Sequence, residues 1–417
     1  MPPCRAYQTA MGIDTDIVIA GGGLNGTTLA LALNSAGFAV TLVDPLPRTD
    51  REAHDFNGRG YALSVSSQRV LGALGVWQAV ADNSQPILDI KVTDGRAGQG
   101  PSPFVLAFDH AEIEEGPMGF MVEDRQLRPA LLSALDGTGV TLLDKTAVID
   151  QAPENASILV TLDNGKSLNA SLLIGCDGKQ SSVAVRAGIQ RTSWSYGQTA
   201  LVCAIAHERP HEGTAHQFFM PPGPLAILPL TENRASIVWT EETARAGEIQ
   251  AMDDEGYLDV LRPRFGDFLG QISLAGKRFT YPLALSLAQD FIAERVPLVG
   301  DAAHAIHPIA GQGLNAGLKD VAALAEVLTD ARRRGEDIGR ADVLARYQQW
   351  RRFDATTLAL AMDGFNRLFS NDNSLLRWAR DIGLGAVNAM PGLRRSFIRE
   401  AAGLTGDLPR LAQGKPL

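Results

Sequence analysis

Cysteine is scarce in this sequence: Cys4, Cys176 and Cys203 are its three, far apart and without a CxxC pair. An odd, scattered set argues against a disulfide framework or a zinc site and points to a reducing compartment. Cys176 and Cys203 are expected as small buried hydrophobes. No apolar run approaches the roughly 18–20 residues that span a bilayer. Residues 1–12 lack the apolar stretch of a signal peptide. Basic residues are outnumbered, 38 Lys and Arg against 47 Asp and Glu, and the net charge of -9 repels polyanions, so nucleic acid is not expected as a partner. Internal repeats and low-complexity tracts are missing as well. A cytoplasmic protein is expected, free or held peripherally on a membrane. The rest is ordinary: 45% hydrophobic and 20% charged residues allow a large core, and 417 residues suggest two joined domains.

Residues 16–20 are a β-branched run that ends in glycines and reads as a buried strand. Residues 24–36 are small and apolar, without proline, and Gly37 closes them as a helix. A second buried strand, 39–43, ends at Asp44-Pro45 and completes a βαβ unit. A helix over 124–135 and strands over 140–144, 157–162 and 172–174 follow. Between 199 and 287, strand-like pieces recur between turns, with one helix near 255–265. Residues 296–299 again read as a short buried strand, and apolar positions after Gly313 recur at helical spacing. The pattern predicts an α/β protein. Its Rossmann-like domain is discontinuous over 14–90, 118–198 and 288–343. A mostly antiparallel sheet is inserted, drawing on 91–117 and 199–287, and 344–417 form a helical C-terminal region.

Three motifs carry chemistry. Gly21-Gly22-Gly23-Leu24-Asn25-Gly26 is a GxGxxG between strand and helix. Gly21 permits the tight turn, Gly23 leaves room for a pyrophosphate, and Gly26 lets helix and strand approach. The helix start offers unpaired N–H groups and a positive dipole end to phosphates. Asp44, about 20 residues on, stands where an acid binds ribose hydroxyls; the motif alone does not separate NAD from FAD. The second motif, Gly175-Cys176-Asp177-Gly178 followed by Ser181, is by itself also an ordinary turn after a strand. The third runs from Gly300-Asp301-Ala302-Ala303-His304 to His307-Pro308-Ile309-Ala310-Gly311-Gln312-Gly313-Leu314-Asn315-Ala316-Gly317-Leu318-Lys319-Asp320. Its Asp suits a ribityl or ribose hydroxyl, its glycines admit a flat ligand, and the helix that follows points its positive end at whatever sits there, a place that would suit a flavin, since reduced flavin carries negative charge. His304 and His307 read as scaffold, and no metal is expected beside so many small residues.

Together and in this order, the motifs resemble those of the class A flavoprotein monooxygenases. The run from His307 to Asp320 is similar to the signature of the ubiquinone-biosynthesis hydroxylase family, as are Gly58-Arg59-Gly60-Tyr61-Ala62-Leu63-Ser64, Leu74-Gly75-Val76-Trp77 and Asn366-Arg367-Leu368-Phe369-Ser370-Asn371-Asp372. The resemblance implies a p-hydroxybenzoate-hydroxylase-like fold. The ADP half of an FAD would lie on Gly21, Gly23, Leu24, Asn25 and Gly26, with Asp44 on the adenosine ribose. Arg59 would stand near the flavin and its approach path, and Arg125 would contact the cofactor from its helix. Asp177 and Gly178 would lie near the pyrophosphate, Gly300 and Asp301 at the ribityl chain, and Gly311, Gln312, Gly313, Leu314 and Asn315 behind the isoalloxazine ring. Many relatives carry an arginine seven positions after the second motif's Asp; here that position is Ala184, and the nearest arginine is Arg186.

The activity implied is hydroxylation of a polyprenylated phenol in ubiquinone biosynthesis. It would use O2, with NAD(P)H as a transient donor, and proceed through a flavin C4a-hydroperoxide. Two other readings stay open: a hydroxylase of another aromatic metabolite, and a non-catalytic flavin-binding scaffold subunit of a biosynthetic complex. Phe218, Met220, Phe279, Tyr281 and Leu283 are the expected substrate-pocket residues, each also explicable as sheet core. No side chain stands out as a general base. Arg377, Arg380, Arg394, Arg395 and Arg399 suggest attachment to a membrane surface, or else a solvated helical face.

Overall fold

The computed structural model describes residues 12–52, 59–96, 100–305, 312–369 and 390–417. Cys4, Gly58, His307, Gly311, Ser370, Asn371, Asp372, Arg377 and Arg380 therefore lie outside the described residues. A six-stranded sheet runs in the order Thr141–Leu143, Val40–Val43, Thr15–Ala20, Ser167–Gly175, Ile158–Leu162, Val148–Pro153. The pairings among the first four strands are parallel and the two pairings beyond them are antiparallel. Ile17, sited between Val40 and Leu172, is fully buried, as a parallel strand covered on both faces requires. The helix Leu24–Ser35 buries every residue from Gly26 to Leu33, because it lies between this sheet and the long helix Gln312–Arg333. Small side chains permit that approach, and each buried Leu adds about 1.5–3 kcal/mol. The strand at 296–299 is shorter than expected. Val296–Pro297 is extended, Leu298 bridges Gly175, and a 3-10 turn covers Gly300–Ala302.

The second sheet has nine strands. Along its main path the order is His304–Ala305, Phe279–Ala288, Arg191–His207, Arg234–Glu242, Gly223–Leu230, Thr214–Met220, Asp89–Arg96, Gly100–Asp109, and Ile272–Leu274 pairs with Arg191–His207. All pairings are antiparallel except that of Thr214–Met220 with Asp89–Arg96. Two helices, Thr243–Ala251 and Asp254–Phe265, interrupt it where the sequence suggested one. Met252 between them is extended and the Asp253 carboxylate caps the second helix, so the segment breaks in two. Both pack on one face of the sheet, over Leu201, Cys203, Ile237 and Trp239. Cys203 is buried against the Tyr257 hydroxyl, whereas Cys176 is only half-buried, because it lies on the turn beyond its strand. A small sheet of Gly60–Ser64, Gly119–Glu123 and Gln85–Ile87 had no clear sequence signal.

Candidate active site

The three glycine- and aspartate-bearing turns meet. Gly21 has φ +103°, and a Cβ there would collide with the Cys176 carbonyl oxygen, so the first turn lies directly on the second. A Cβ on Gly26 would strike the Gly21 carbonyl oxygen and approach the Cys176 Cβ. The side chain of Asn25 fills the space that Gly300 and Gly317 leave by having no Cβ, which joins the first turn to the third and to the long helix. Leu24 opens the first helix and packs against the main core.

Around this junction the protein leaves room and unpaired polar groups. A Cβ on Gly23 or Gly313 would meet no atom within 4 Å. Gly23 caps the Leu24–Ser35 helix without a side-chain acceptor, so its first N–H groups are offered to a ligand. Asp44 Oδ2 accepts from the Gly22 N–H at 2.6 Å and Oδ1 from Leu46 N–H at 2.8 Å, with Arg51 Nε 3.8 Å from Oδ1. The acid thus shapes the turn as well as standing beside it. Asp177 Oδ2 accepts from Val183 N–H at 3.0 Å and Ser182 Oγ at 3.2 Å, its Oδ1 is buried without a partner, and Gly178 follows it on the turn. Asp301 is solvent-exposed as a residue, while neighbouring groups partly desolvate its carboxyl. Withdrawal from bulk water raises its carboxyl above the usual range against the pull of His304, Lys179 and Arg191. This combination of bare helix start, glycine-lined space and partly desolvated acid fits a long dinucleotide cofactor.

Other expected residues are engaged inside the protein. Asn315 Oδ1 accepts from Ser64 N–H at 2.9 Å and Ser67 Oγ at 2.8 Å, while its Nδ2 donates to Ala62 O at 2.8 Å. Its side chain therefore ties the strand Gly60–Ser64 to the long helix that Gln312 opens, and Leu314 packs on the core. Arg125 pairs with Glu123 at 2.6 Å, and Arg234 from the second sheet holds the same carboxylate at 2.9 Å. Arg59 donates from Nε to the Tyr281 hydroxyl at 2.8 Å, joining residues 222 apart in sequence. Ala184 is fully buried, and Arg186 turns to Gln151 at 3.3 Å.

The five expected pocket residues divide. Phe279, Tyr281 and Leu283 share one face of the second sheet with Ala200, Val202 and Val238, the face that meets Arg59. Phe218 and Met220 lie on the other face, in the cluster beneath the two helices. Strand parity is the reason: Phe218 lies opposite Leu225, which lies opposite Trp239 and then Leu201, while Ala200 lies opposite Tyr281.

Four further residues hold the site together. Asp320, fully buried, accepts from Arg351 Nε at 2.8 Å, His304 Nε2 at 2.6 Å and the Gly300 N–H at 3.0 Å, so His304 is scaffold. Arg191 donates to the backbone carbonyls of Asp301 and Ala302. Gly317 makes room for Asn25. Asp320 closes the third motif in the sequence, but nothing near Arg351 or Arg191 marks them as its partners.

A family model described as an FAD binding domain matches residues 14–359. Ubiquinone hydroxylase UbiL of Rhodospirillum rubrum is 43% identical over 96% of this chain and 93% of its own length. The 3-demethoxyubiquinol 3-hydroxylase of Escherichia coli is 36% identical over 94% of this chain and 99% of its own. The crystal structure of p-nitrophenol 4-monooxygenase PnpA from Pseudomonas putida superposes with a TM-score of 0.77 at 18% identity, covering 94% of this chain and 98% of that one, which shows the shared fold. The chain belongs to the family of FAD-dependent aromatic-ring monooxygenases that includes the ubiquinone hydroxylases.

Proposed function

We propose that this protein hydroxylates the ring of a polyprenylated phenol on the route to ubiquinone, consuming NAD(P)H and O2. The observation that carries the reading is the convergence of the three turns, the third of which is joined through the strand Phe279–Ala288 to a sheet face with Phe279, Tyr281 and Leu283. FAD held there would supply the activation of O2, with NAD(P)H as its electron source. The chain's share is binding, orientation and exclusion of water. The start of the Leu24–Ser35 helix takes the pyrophosphate, Asp44 the adenosine ribose, and Asp177 and Gly178 its neighbourhood. Gly300 and Asp301 take the ribityl chain. The positive end of the Gln312–Arg333 helix, with Gly313 leaving it bare, steadies negative charge on reduced flavin. The apolar sheet face keeps water from the reacting ring. Purified protein is expected to be yellow and to release FAD on denaturation. Its gene is expected to restore ubiquinone in at least one of a set of bacterial strains that each lack one ring hydroxylase; failure in every strain sinks the reading.

The substrate class also favours peripheral contact with a membrane, and the C-terminal helix Pro391–Ala401 supplies a surface for it. Arg394 and Arg399 are not its main contact, because they pair with Glu112 and Glu115 at 2.8 Å. Instead Leu393 and Phe397, 40% and 42% exposed and one helical turn apart, lie beside Met390 at 55%, with Arg395 exposed on the same helix. No helix among the described residues is long and apolar enough to cross a membrane. Substituting Leu393→Glu and Phe397→Glu together is expected to cut flotation with anionic liposomes at least about fivefold. Equal flotation of variant and wild type rules the surface out.

A further inference from the structure

We propose that the Tyr281 hydroxyl is the donor that orients an oxygen of the aromatic substrate, with Arg59 acting through it as a positioning residue; this rests on the phenol-hydroxylase reading above. A guanidinium has donors and no acceptor. The 2.8 Å bond from Arg59 Nε therefore fixes the Tyr281 oxygen as acceptor. The guanidinium carbon also lies 5.5 Å from the Tyr281 ring centroid. A cation on the oxygen draws electron density from the O–H bond and makes its proton a stronger donor. Among the described residues, no acceptor takes that proton. Tyr281 is thus held in place, polarised, and left with one unused donor.

Its position gives the donor a target. Tyr281 lies on the apolar face with Leu283 and Val202, in the strand Phe279–Ala288. Further along that strand, Ser286 and Leu287 pair with Ala305 and His304, next to the Asp301 turn. Arg59 immediately precedes the strand Gly60–Ser64, whose far end Asn315 ties to the long helix. Two strands therefore rise from the cofactor turns and are joined at their other ends by Arg59 and Tyr281. The glycine-bearing turns therefore lie toward one end of these strands and the polarised hydroxyl at the other. A wall formed by Phe279, Leu283 and Val202 that carries the Tyr281 donor selects a ring that carries oxygen over a plain hydrocarbon.

The test uses FAD-loaded protein and two probes, 2-geranylphenol and geranylbenzene, followed by the flavin absorbance change on binding. Tyr281→Phe is expected to raise the Kd and KM for 2-geranylphenol about tenfold while leaving geranylbenzene binding, FAD affinity and Tm as in wild type. Arg59→Met is expected to weaken phenol binding less, and to add nothing when Tyr281 is already Phe. An unchanged Kd for 2-geranylphenol in Tyr281→Phe overturns the inference, as does an equal loss for geranylbenzene, which marks mere packing. Wild-type protein that binds neither probe overturns the phenol reading itself.

Discussion

Valine at position 23 is expected to give a folded protein that is colourless. Gly23 has φ -69° and ψ -172°, an extended backbone that a β-branched residue adopts without strain. A Cβ there meets no protein atom within 4 Å. The open space at this Cβ leaves a pyrophosphate on the helix start as the group that a side chain here would exclude. Gly23→Val should therefore keep the Tm of the cofactor-free protein within about 2 °C and weaken FAD binding at least about a hundredfold, close to 2.7 kcal/mol. Gly26→Val is the contrast. Its Cβ would drive into the Gly21 carbonyl and press on Cys176, so it should cost on the order of 3 kcal/mol and several degrees of Tm before any ligand is added. Flavin-fluorescence titration of the apoproteins, paired with thermal melts, separates the two. If Gly23→Val binds FAD as wild type does, the first turn is not the phosphate site.

Local patterns made the nucleotide half readable. The run at 16–20, the glycines after it and the apolar positions beyond Gly313 each specify their element within a few residues, because a buried parallel strand and a doubly covered helix leave little choice of residue. The meeting of the turns was readable only through the family resemblance, since Asn25 filling the gaps at Gly300 and Gly317 is a contact across nearly 300 residues. The pocket face was not readable. Phe218 and Tyr281 both sit in alternating strands, and which side each presents depends on the register across the intervening strands, a property of pairing and not of either segment. The Arg351 partner of Asp320 was hidden for a related reason. Arg351 and Arg352 are adjacent on a long helix and look alike in sequence, yet Arg351 points into the core and Arg352 reaches toward Asp290 at the surface. The break between the two sheet-covering helices turned on the single cap at Asp253.

Removing the charge of Asp320 should unfold the third turn from beneath. In Asp320→Asn the amide can accept from only one side and presents N–H groups where His304, Arg351 or the Gly300 N–H now donate. Arg351, buried like Asp320, would keep Asp354 at 3.0 Å as its remaining partner, at the surface end of its side chain. A buried cation stripped of its main counter-charge costs about 3–5 kcal/mol, and the Gly300 anchor that presents Asp301 is weakened with it. FAD affinity should fall about tenfold or more, and adding Arg351→Met should recover part of the stability by removing the uncompensated charge. The pH profile gives a separate signature. Burial alone would raise the Asp320 pKa, but His304 and Arg351 outweigh it and hold the carboxyl below its ordinary value. Its contribution is therefore fully present above the unfolded-state pKa of about 3.9 and is lost as pH falls through the lower folded value. Urea midpoints of the wild type should drop steeply below about pH 4, whereas Asp320→Asn should start lower and respond less to acid over the same window. A variant that loses under about 1 kcal/mol, or that follows the wild-type acid profile, would show that the turn is held by its backbone and its Arg191 contacts instead.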